Sequence, residues 1–226
     1  MGNVVAAALT FVGTHFLLSH LLRKPLVGAV GEKGFLGLYS LVAALTLGWL
    51  ALAYRAAPPA PSLWPVGDFI WAIGTVLMLA GAILFMGSLV RNPALPQADS
   101  RAVPEARGVF AITRHPMMWG FAIWGMVHIL VFPDPSNVVL ALSIIVLALL
   151  GAHFQDRKKE ALQPDFWREW ERRTSYWPFA AVAAGRARVG KIGMHALAGG
   201  AVVWLAATWA HMPLAGWPAG IWRWIA

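Results

Sequence analysis

The stretch Gly108–Phe132, GVFAITRHPMMWGFAIWGMVHILVF, indicates how the chain is built. It begins with a basic and polar segment, Arg114-His115-Pro116, and continues as an uncharged run. Such a run is typical of a helix that crosses a lipid bilayer. His128 lies deep in this run, where an ionisable side chain is costly and usually marks a functional site. The stretch therefore predicts a membrane helix with a polar segment at one end and a buried histidine.

The composition of the whole chain agrees with a membrane protein. Its 226 residues are 59% hydrophobic and 12% charged, with a mean hydropathy of +0.63, whereas soluble domains are roughly a quarter charged. The 13 Trp residues favour membrane–water interfaces. Because there is no Cys, disulfides, thiolate catalysis and thiolate metal ligands are excluded. The net charge of +8 comes from short loops between apolar runs, so it indicates a partner in the lipid bilayer and no nucleic acid.

Six apolar runs are long enough to cross a bilayer, which predicts an all-α, polytopic helical membrane protein. We expect a single integral membrane domain, 1–226, and residues 1–22 lack the pattern of a cleavable signal. The predicted spans are Val4–Leu22, Leu36–Tyr54, Phe69–Val90, Met117–Phe132 (extended backwards to about Val109), Pro135–Gln155 and Ile192–Met212. An apolar tail, 213–226, follows the last span.

The loops predict the orientation of the chain. The first, third and fifth loops are basic, whereas the second and fourth carry few charges. The excess of Lys and Arg in cytoplasmic loops therefore predicts that both termini lie outside. The third loop, 92–104, contains Pro93, Pro96 and Pro104, so we expect it to be extended. The segment 156–179 has helical periodicity with aromatic and basic residues, which suits either a plain surface helix or a segment that closes a site.

The positions of His15 and His128 single them out among the seven histidines. Each lies about one turn past the midpoint of its predicted span, and two neutral imidazoles that face each other across a helical bundle suit haem iron. Gly125, one turn below His128, would leave room for a flat group. The alternative is that each histidine hydrogen-bonds a neighbouring helix. The other histidines lie near span ends, where a solvated role is expected: His20, His153, His195 and His211.

The segment Arg114-His115-Pro116 predicts a different kind of site. Proline is favoured in the first turn of a helix, so Arg114 and His115 would lie beside a helix N-terminus. That position suits an anionic group such as phosphate or carboxylate. The alternative is an ordinary basic residue at the cytoplasmic end of a span.

The chain resembles the NnrU family of bacterial membrane proteins over about residues 1–180, whereas residues 190–226 are less diagnostic. The resemblance is carried by these segments: GTHFLLSHLLRKPL (13–26), GEKGFLGLYSLVA (31–43), NPALPQ (92–97), TRHPMMWGFAIWGMVH (113–128) and GAHFQDRKK (151–159). Family members are associated with denitrification genes. The resemblance therefore implies a protein of the bacterial inner membrane that acts in nitrogen-oxide metabolism.

The NnrU family is in turn similar to the zeta-carotene isomerases of plants, which are integral membrane haem b proteins. That similarity implies haem b as a cofactor, His15 and His128 as its ligands, and isomerase-like chemistry on a small hydrophobic substrate. The plant enzyme has a cysteine three residues before the second histidine. This chain has Gly125 there, so a ligand switch between cysteine and histidine is impossible.

A wider resemblance leads to an alternative function. The Arg114-His115-Pro116 segment and the later segment REWERRTSYWPF (168–179) resemble the two regions that bind S-adenosylmethionine in the isoprenylcysteine and phospholipid methyltransferases. In those enzymes Gly and Tyr usually follow Arg-His-Pro, whereas this chain has Met117 and Met118. A third hypothesis is a non-enzymatic membrane assembly or regulatory factor, which needs neither cofactor.

Overall fold

The computed structural model of the protein describes residues 1–95 and 103–226. These residues form helices and turns, and the described ranges contain no strand. The helices are α1 (Gly2–Phe16), which continues as a π-helical turn (Leu17–Leu21), α2 (Arg23–Arg55), α3 (Asp68–Gly87), α4 (Val109–Ile112), α5 (Pro116–Val131), α6 (Pro135–Leu162), α7 (Pro164–Arg173), α8 (Ala180–Ala183), α9 (Met194–Ala215) and α10 (Trp222–Ile225).

Five of the described helices are long and apolar enough to cross a membrane: α1 with its π-helical turn, α2, α3, α6 and α9. Helix α5 is apolar but shorter, at 16 residues. The prediction of a polytopic helical membrane protein is confirmed. The bundle has two ends. The end at which α1 and α6 finish is called the Arg114 end. The end at which α5 finishes and α6 begins is called the Asp134 end.

Two helix starts differ from the predictions. The extension of the fourth span back to Val109 is wrong, because α5 begins at Pro116 and Thr113 is extended (φ −154°, ψ 151°). A proline disfavours helical geometry in the residue before it, so the chain cannot continue from α4 into α5. The basic first loop is also helical, since α2 begins at Arg23 and is interrupted only at Gly31 (φ 74°, ψ 170°).

The two longer connecting segments are partly as predicted. The segment 156–179 contains the end of α6 and all of α7, which confirms the helical periodicity. Trp167 and Trp170 of α7 are fully buried, so this helix packs onto the protein with its aromatic face. In the loop 92–104, Pro96 and the residues up to 102 lie outside the described part of the chain.

Helix α3 packs against both α5 and α9, and from α5 the packing continues through α6 and α1 to α2. The α3–α5 crossing is close because it is made by glycines: a Cβ on Gly120 would lie 2.9 Å from the backbone oxygen of Gly81. On the other side of α3, a Cβ on Gly200 would lie 2.8 Å from Ile83. Small residues at such crossings are typical of helices that pack in lipid, where van der Waals contact replaces the hydrophobic effect.

Candidate functional site

A pocket of about 390 Å³ lies between α3, α5 and α9, towards the Asp134 end. Helices α5 and α9 both pack on α3, and the pocket occupies the space between them. Its volume falls within the roughly 300–1,000 Å³ of small-molecule sites. The aromatic part of the wall comes mainly from Trp71, Phe85, Phe121, Trp124, Phe132, Trp204 and Trp217. The pocket is thus suited to an apolar ligand.

His128 of α5 and His211 of α9 both line this pocket, and their ring centroids are 6.2 Å apart. Each ring donates its Nδ1–H to the carbonyl oxygen four residues earlier, His128 to Trp124 and His211 to Ala207, both at 2.8 Å. A carbonyl oxygen can only accept, so each Nδ1 carries the proton and each Nε2 of a neutral ring carries a lone pair. The indole of Trp124 also stacks on His128, with centroids 4.0 Å apart. Both histidines are therefore oriented as metal-binding histidines usually are.

Two further polar groups of the pocket have no partner. The Thr75 hydroxyl and the Trp204 indole nitrogen are buried and make no hydrogen bond within the described structure. A buried group left unsatisfied costs about 1–3 kcal/mol. Both groups are therefore available to a ligand that offers a polar atom.

His15 lies elsewhere in the bundle. Its Nδ1 donates to the Phe11 carbonyl oxygen at 2.6 Å, and its ring packs against Tyr39 of α2 at 5.5 Å between centroids. The distance between His15 and His128 can be read from their neighbours on α6. The His128 carbonyl accepts from Asn137 near the start of α6, whereas Phe16, next to His15, packs on Phe154.

Asn137 and Phe154 are 17 residues apart on α6, which corresponds to about 25 Å of helix. The structure therefore does not bring His15 and His128 together, and the predicted pair does not fit one iron. Helices α1 and α5 run in opposite directions, so residues past the midpoints of both lie near opposite ends of the bundle. His128 is only three residues from the end of α5. With the predicted extension of the span back to Val109, His128 would lie nearer the middle of the helix than it does.

Gly125 has a packing role that explains its small size. A Cβ at this position would lie 2.6 Å from Ile145 Cγ1 and 2.9 Å from the Ala141 carbonyl oxygen, both on α6. The space expected beside His128 is thus filled by α6. The glycines that line the pocket are others, Gly74, Gly81, Gly120 and Gly220.

Arg114 and His115 form a separate buried cluster at the Arg114 end. His115 Nε2 lies 2.7 Å from Asp156 Oδ1, and Arg114 donates to the other oxygen of Asp156 from Nε at 2.9 Å and Nη2 at 2.7 Å. The same Nη2 is 3.1 Å from Glu171 Oε1. Burial raises the pKa of Glu171, although the charge of Arg114 opposes this shift.

The partners of Arg114 and His115 are therefore two carboxylates of the same chain, Asp156 and Glu171. The His115 side chain is 1% exposed and the Arg114 side chain 12% exposed, so both are engaged by these carboxylates inside the protein. The contact of the two residues with an anionic group stays a prediction. Sequence reasoning missed Asp156, although the signal was present: an acidic residue stands at the point where an apolar run becomes basic, in GAHFQDRKK.

The remaining histidines have different surroundings. His20, in the π-helical turn, is exposed and its ring lies 4.8 Å from that of Phe154. His153 and His195 are exposed, as expected for span ends. His211 is partly exposed, and its ring lies beside that of His128. The part of the chain that the structure describes contains no group of three or more His, Cys, Asp or Glu residues placed to hold a metal ion.

The apolar helices define a multi-pass helical membrane protein, and a pocket lies inside its bundle. Within that class, the family described as "NnrU protein" matches residues 3–219, and the chain belongs to this family. The match extends beyond residue 180 and includes α9, which carries His211.

The chain is also similar to two curated plant proteins, both described as 15-cis-zeta-carotene isomerase, chloroplastic. It is 34% identical to the Zea mays protein over 84 residues, which cover 37% of this chain and 23% of the relative. It is 34% identical to the Arabidopsis thaliana protein over 79 residues, which cover 35% and 22%. The chain thus matches less than a quarter of the length of either relative. No solved structure matches the chain.

Proposed function

We propose that the protein is an isomerase-like enzyme of the membrane interior, and that it binds an apolar molecule with conjugated double bonds in the pocket between α3, α5 and α9. The observation that carries the proposal is this pocket, with its aromatic wall and a few fixed polar groups. The family and the two relatives named as isomerases support the same class of reaction.

For isomerisation at a double bond, the main requirement is that the pocket binds and orients the substrate. A change of geometry at a double bond leaves the atoms and electrons of the substrate unchanged in number, so no co-reactant is consumed. Aromatic rings such as Trp124 and Phe121 bind a flat conjugated chain through their faces. Most of the pocket wall is apolar, which disfavours bound water.

We include haem b in the proposal, held at His128. The fit rests on the donor set: the Nε2 lone pair of a neutral, oriented imidazole in an apolar pocket is a suitable iron ligand. When bound, haem b supplies a redox-active iron. The residues of this chain would bind and orient it and would keep water away. His15 is not part of this site.

The test is conversion of 15-cis-zeta-carotene by the purified protein in lipid, followed by chromatographic separation of the isomers. The informative variant is Ala207→Trp, because Ala207 lines the pocket and a large ring there would fill it. The matched control is Ala206→Trp, since Ala206 is exposed on the same helix and does not line the pocket. We expect conversion by the wild type and the control and none by Ala207→Trp. A wild type that leaves the isomer ratio unchanged contradicts the proposed substrate class.

We further propose that the protein lies in the cytoplasmic membrane of a bacterium with its N-terminus outside, as the basic loops predict. The absence of cysteine makes this simple to test with single-cysteine variants. Ser62→Cys and Arg188→Cys are at exposed positions in two different connecting segments. A reagent that cannot cross the membrane should label only Ser62→Cys in intact cells, and labelling of only Arg188→Cys reverses the orientation.

The role in nitrogen-oxide metabolism implied by the family resemblance is a separate part of the proposal. A strain that lacks the protein should then grow more slowly when nitrite is the respiratory electron acceptor. Equal growth of this strain and the parent contradicts that part and leaves the isomerase proposal standing.

A further inference from the structure

We infer that His211 is the second protein ligand of the iron that His128 holds. The iron would thus be bound between α5 and α9 and not between α1 and α5. This inference rests on the haem part of the proposed function. It adds the identity of the partner histidine, which is on the last long helix.

The spacing of the two rings is the first argument. A metal–nitrogen bond to histidine is about 2 Å long, and the ring centre lies about 1 Å behind the nitrogen, so two imidazoles on opposite sides of one metal have centres about 6 Å apart. The observed distance between the His128 and His211 centroids is 6.2 Å. By contrast, the nearest aromatic partner of His15 on another helix is Tyr39, a side chain of a different helix pair.

The orientation of the rings is the second argument. Both Nδ1 atoms are bonded to carbonyl oxygens of their own helices, so both rings offer the same atom, Nε2, to a metal. In each case the bond spans one turn of the helix, which fixes the tautomer before any ligand binds. Two rings prepared in the same way, on two helices that both line one pocket, are what a two-histidine site requires.

The surroundings are the third argument. The wall around both histidines is mostly apolar and aromatic, which suits the macrocycle of a haem. The unpartnered Thr75 hydroxyl and Trp204 nitrogen belong to the same wall. Two unsatisfied groups and two prepared ligands in one pocket indicate that the pocket is built around a bound group.

The experiment is titration of the purified full-length protein with haem in detergent micelles, followed by absorption and electron paramagnetic resonance spectra. We expect the wild type and His15→Ala to give a low-spin iron with two nitrogen ligands. His211→Ala should give a high-spin iron that returns to low spin when imidazole is added. His211→Met should remain six-coordinate with a higher reduction potential, as Met/His ligation gives in cytochromes c. This second variant covers the case in which His211→Ala does not fold.

The possible outcomes separate the pairing of the two histidines from haem binding itself. A low-spin iron in His211→Ala, or a high-spin iron in His15→Ala, overturns the pairing of His128 with His211 while haem binding itself stands. A wild type that takes up no haem overturns the haem part of the proposed function and this inference with it. An unchanged reduction potential in His211→Met also overturns the inference.

Discussion

The Nε2 atom of His115 lies 2.7 Å from Oδ1 of Asp156, and this contact joins the start of α5 to the polar end of α6. Arg114 donates twice to the other oxygen of the same carboxylate. The cluster continues into the segment after α7, where the Arg114 amide donates to the Ser175 carbonyl at 2.8 Å. The Asp156 carboxylate therefore joins α5 to α6, and Arg114 connects this pair to the segment after α7.

Replacing Asp156 with Asn should lower the stability by about 3 kcal/mol, since removing one partner leaves buried charge unpaired. The Arg114 and Asp156 side chains are only 12% and 8% exposed, so water cannot replace the lost carboxylate. The measurement is the midpoint of thermal unfolding in one detergent. Asp165→Asn is the control, because Asp165 is exposed at the start of α7, and it should change stability by only a few tenths of a kcal/mol. Equal midpoints for the two variants contradict the role of Asp156.

The fold class could be predicted from sequence because length and hydropathy alone decide whether a segment spans a bilayer. The start of α5 at Pro116 was equally readable from the proline. The backward extension to Val109 failed for a local reason: residues 109–112 are apolar, but Gly108 (φ 56°) and the extended Thr113 bound them as a separate turn. Hydropathy does not report backbone geometry.

The site was predicted only in part, because helix packing decides which two residues come together in space. His128 was found because an ionisable residue in an apolar run is conspicuous. Its neighbour His211 was not, because a histidine near a span end looks solvated in a sequence. The ends of α5 and α9 meet because both helices pack on α3. Hydropathy and residue spacing do not reveal this packing.

Gly120→Ala should destabilise the α3–α5 crossing. The new Cβ would lie 2.9 Å from the Gly81 carbonyl oxygen, a backbone atom that cannot rotate away, and overpacking of this kind costs roughly 1–3 kcal/mol. The matched control is Gly151→Ala on α6, which meets open space within 4 Å. That change should be neutral or should stabilise by up to about 1 kcal/mol, because Ala is the better helix former. Thermal unfolding of both variants is the check, and a stable Gly120→Ala contradicts the close crossing.

Asp134 should stabilise α6 in a pH-dependent way. Its carboxylate caps the helix by accepting from the Ser136 amide at 2.8 Å and the Asn137 amide at 3.4 Å. Burial would raise the pKa of Asp134, but the hydrogen bonds from Ser136 and Asn137 outweigh it and hold the pKa below the usual range of an aspartic acid. A lowered pKa in the folded state means that the stabilisation is fully present above the pKa of the unfolded chain, about 3.9, and is lost as the pH falls below that value.

Two variants separate the two contributions of Asp134. Asp134→Ala should cost about 1 kcal/mol at neutral pH, as loss of an N-cap does. Asp134→Asn keeps a capping oxygen, so its stability at neutral pH should stay close to that of the wild type while the loss at acid pH becomes smaller. Unfolding midpoints measured from neutral to acid pH test both statements. An acid dependence that is the same in Asp134→Asn and the wild type assigns it to another group.

Thr75 and Thr208 offer a matched pair inside the pocket, because one hydroxyl is bonded and the other is not. The Thr208 hydroxyl donates to the Trp204 carbonyl at 2.7 Å and accepts from the Trp222 indole at 3.2 Å, so Thr208→Val should cost about 1 kcal/mol. Among the residues that the structure describes, the buried Thr75 hydroxyl has no hydrogen-bond partner. Thr75→Val should therefore leave the stability of the ligand-free protein unchanged or slightly higher.

The same pair separates a binding role from a structural one. If the Thr75 hydroxyl is held ready for a ligand, Thr75→Val should weaken binding of a conjugated apolar ligand several-fold. Quenching of the fluorescence of the pocket tryptophans measures that binding, and thermal unfolding without ligand measures stability. A Thr75→Val variant that loses as much stability as Thr208→Val contradicts the unpartnered state of the hydroxyl. A variant that is stable and binds as the wild type does leaves the hydroxyl without a part in recognition, so that specificity would have to come from the two histidines and the Trp204 nitrogen.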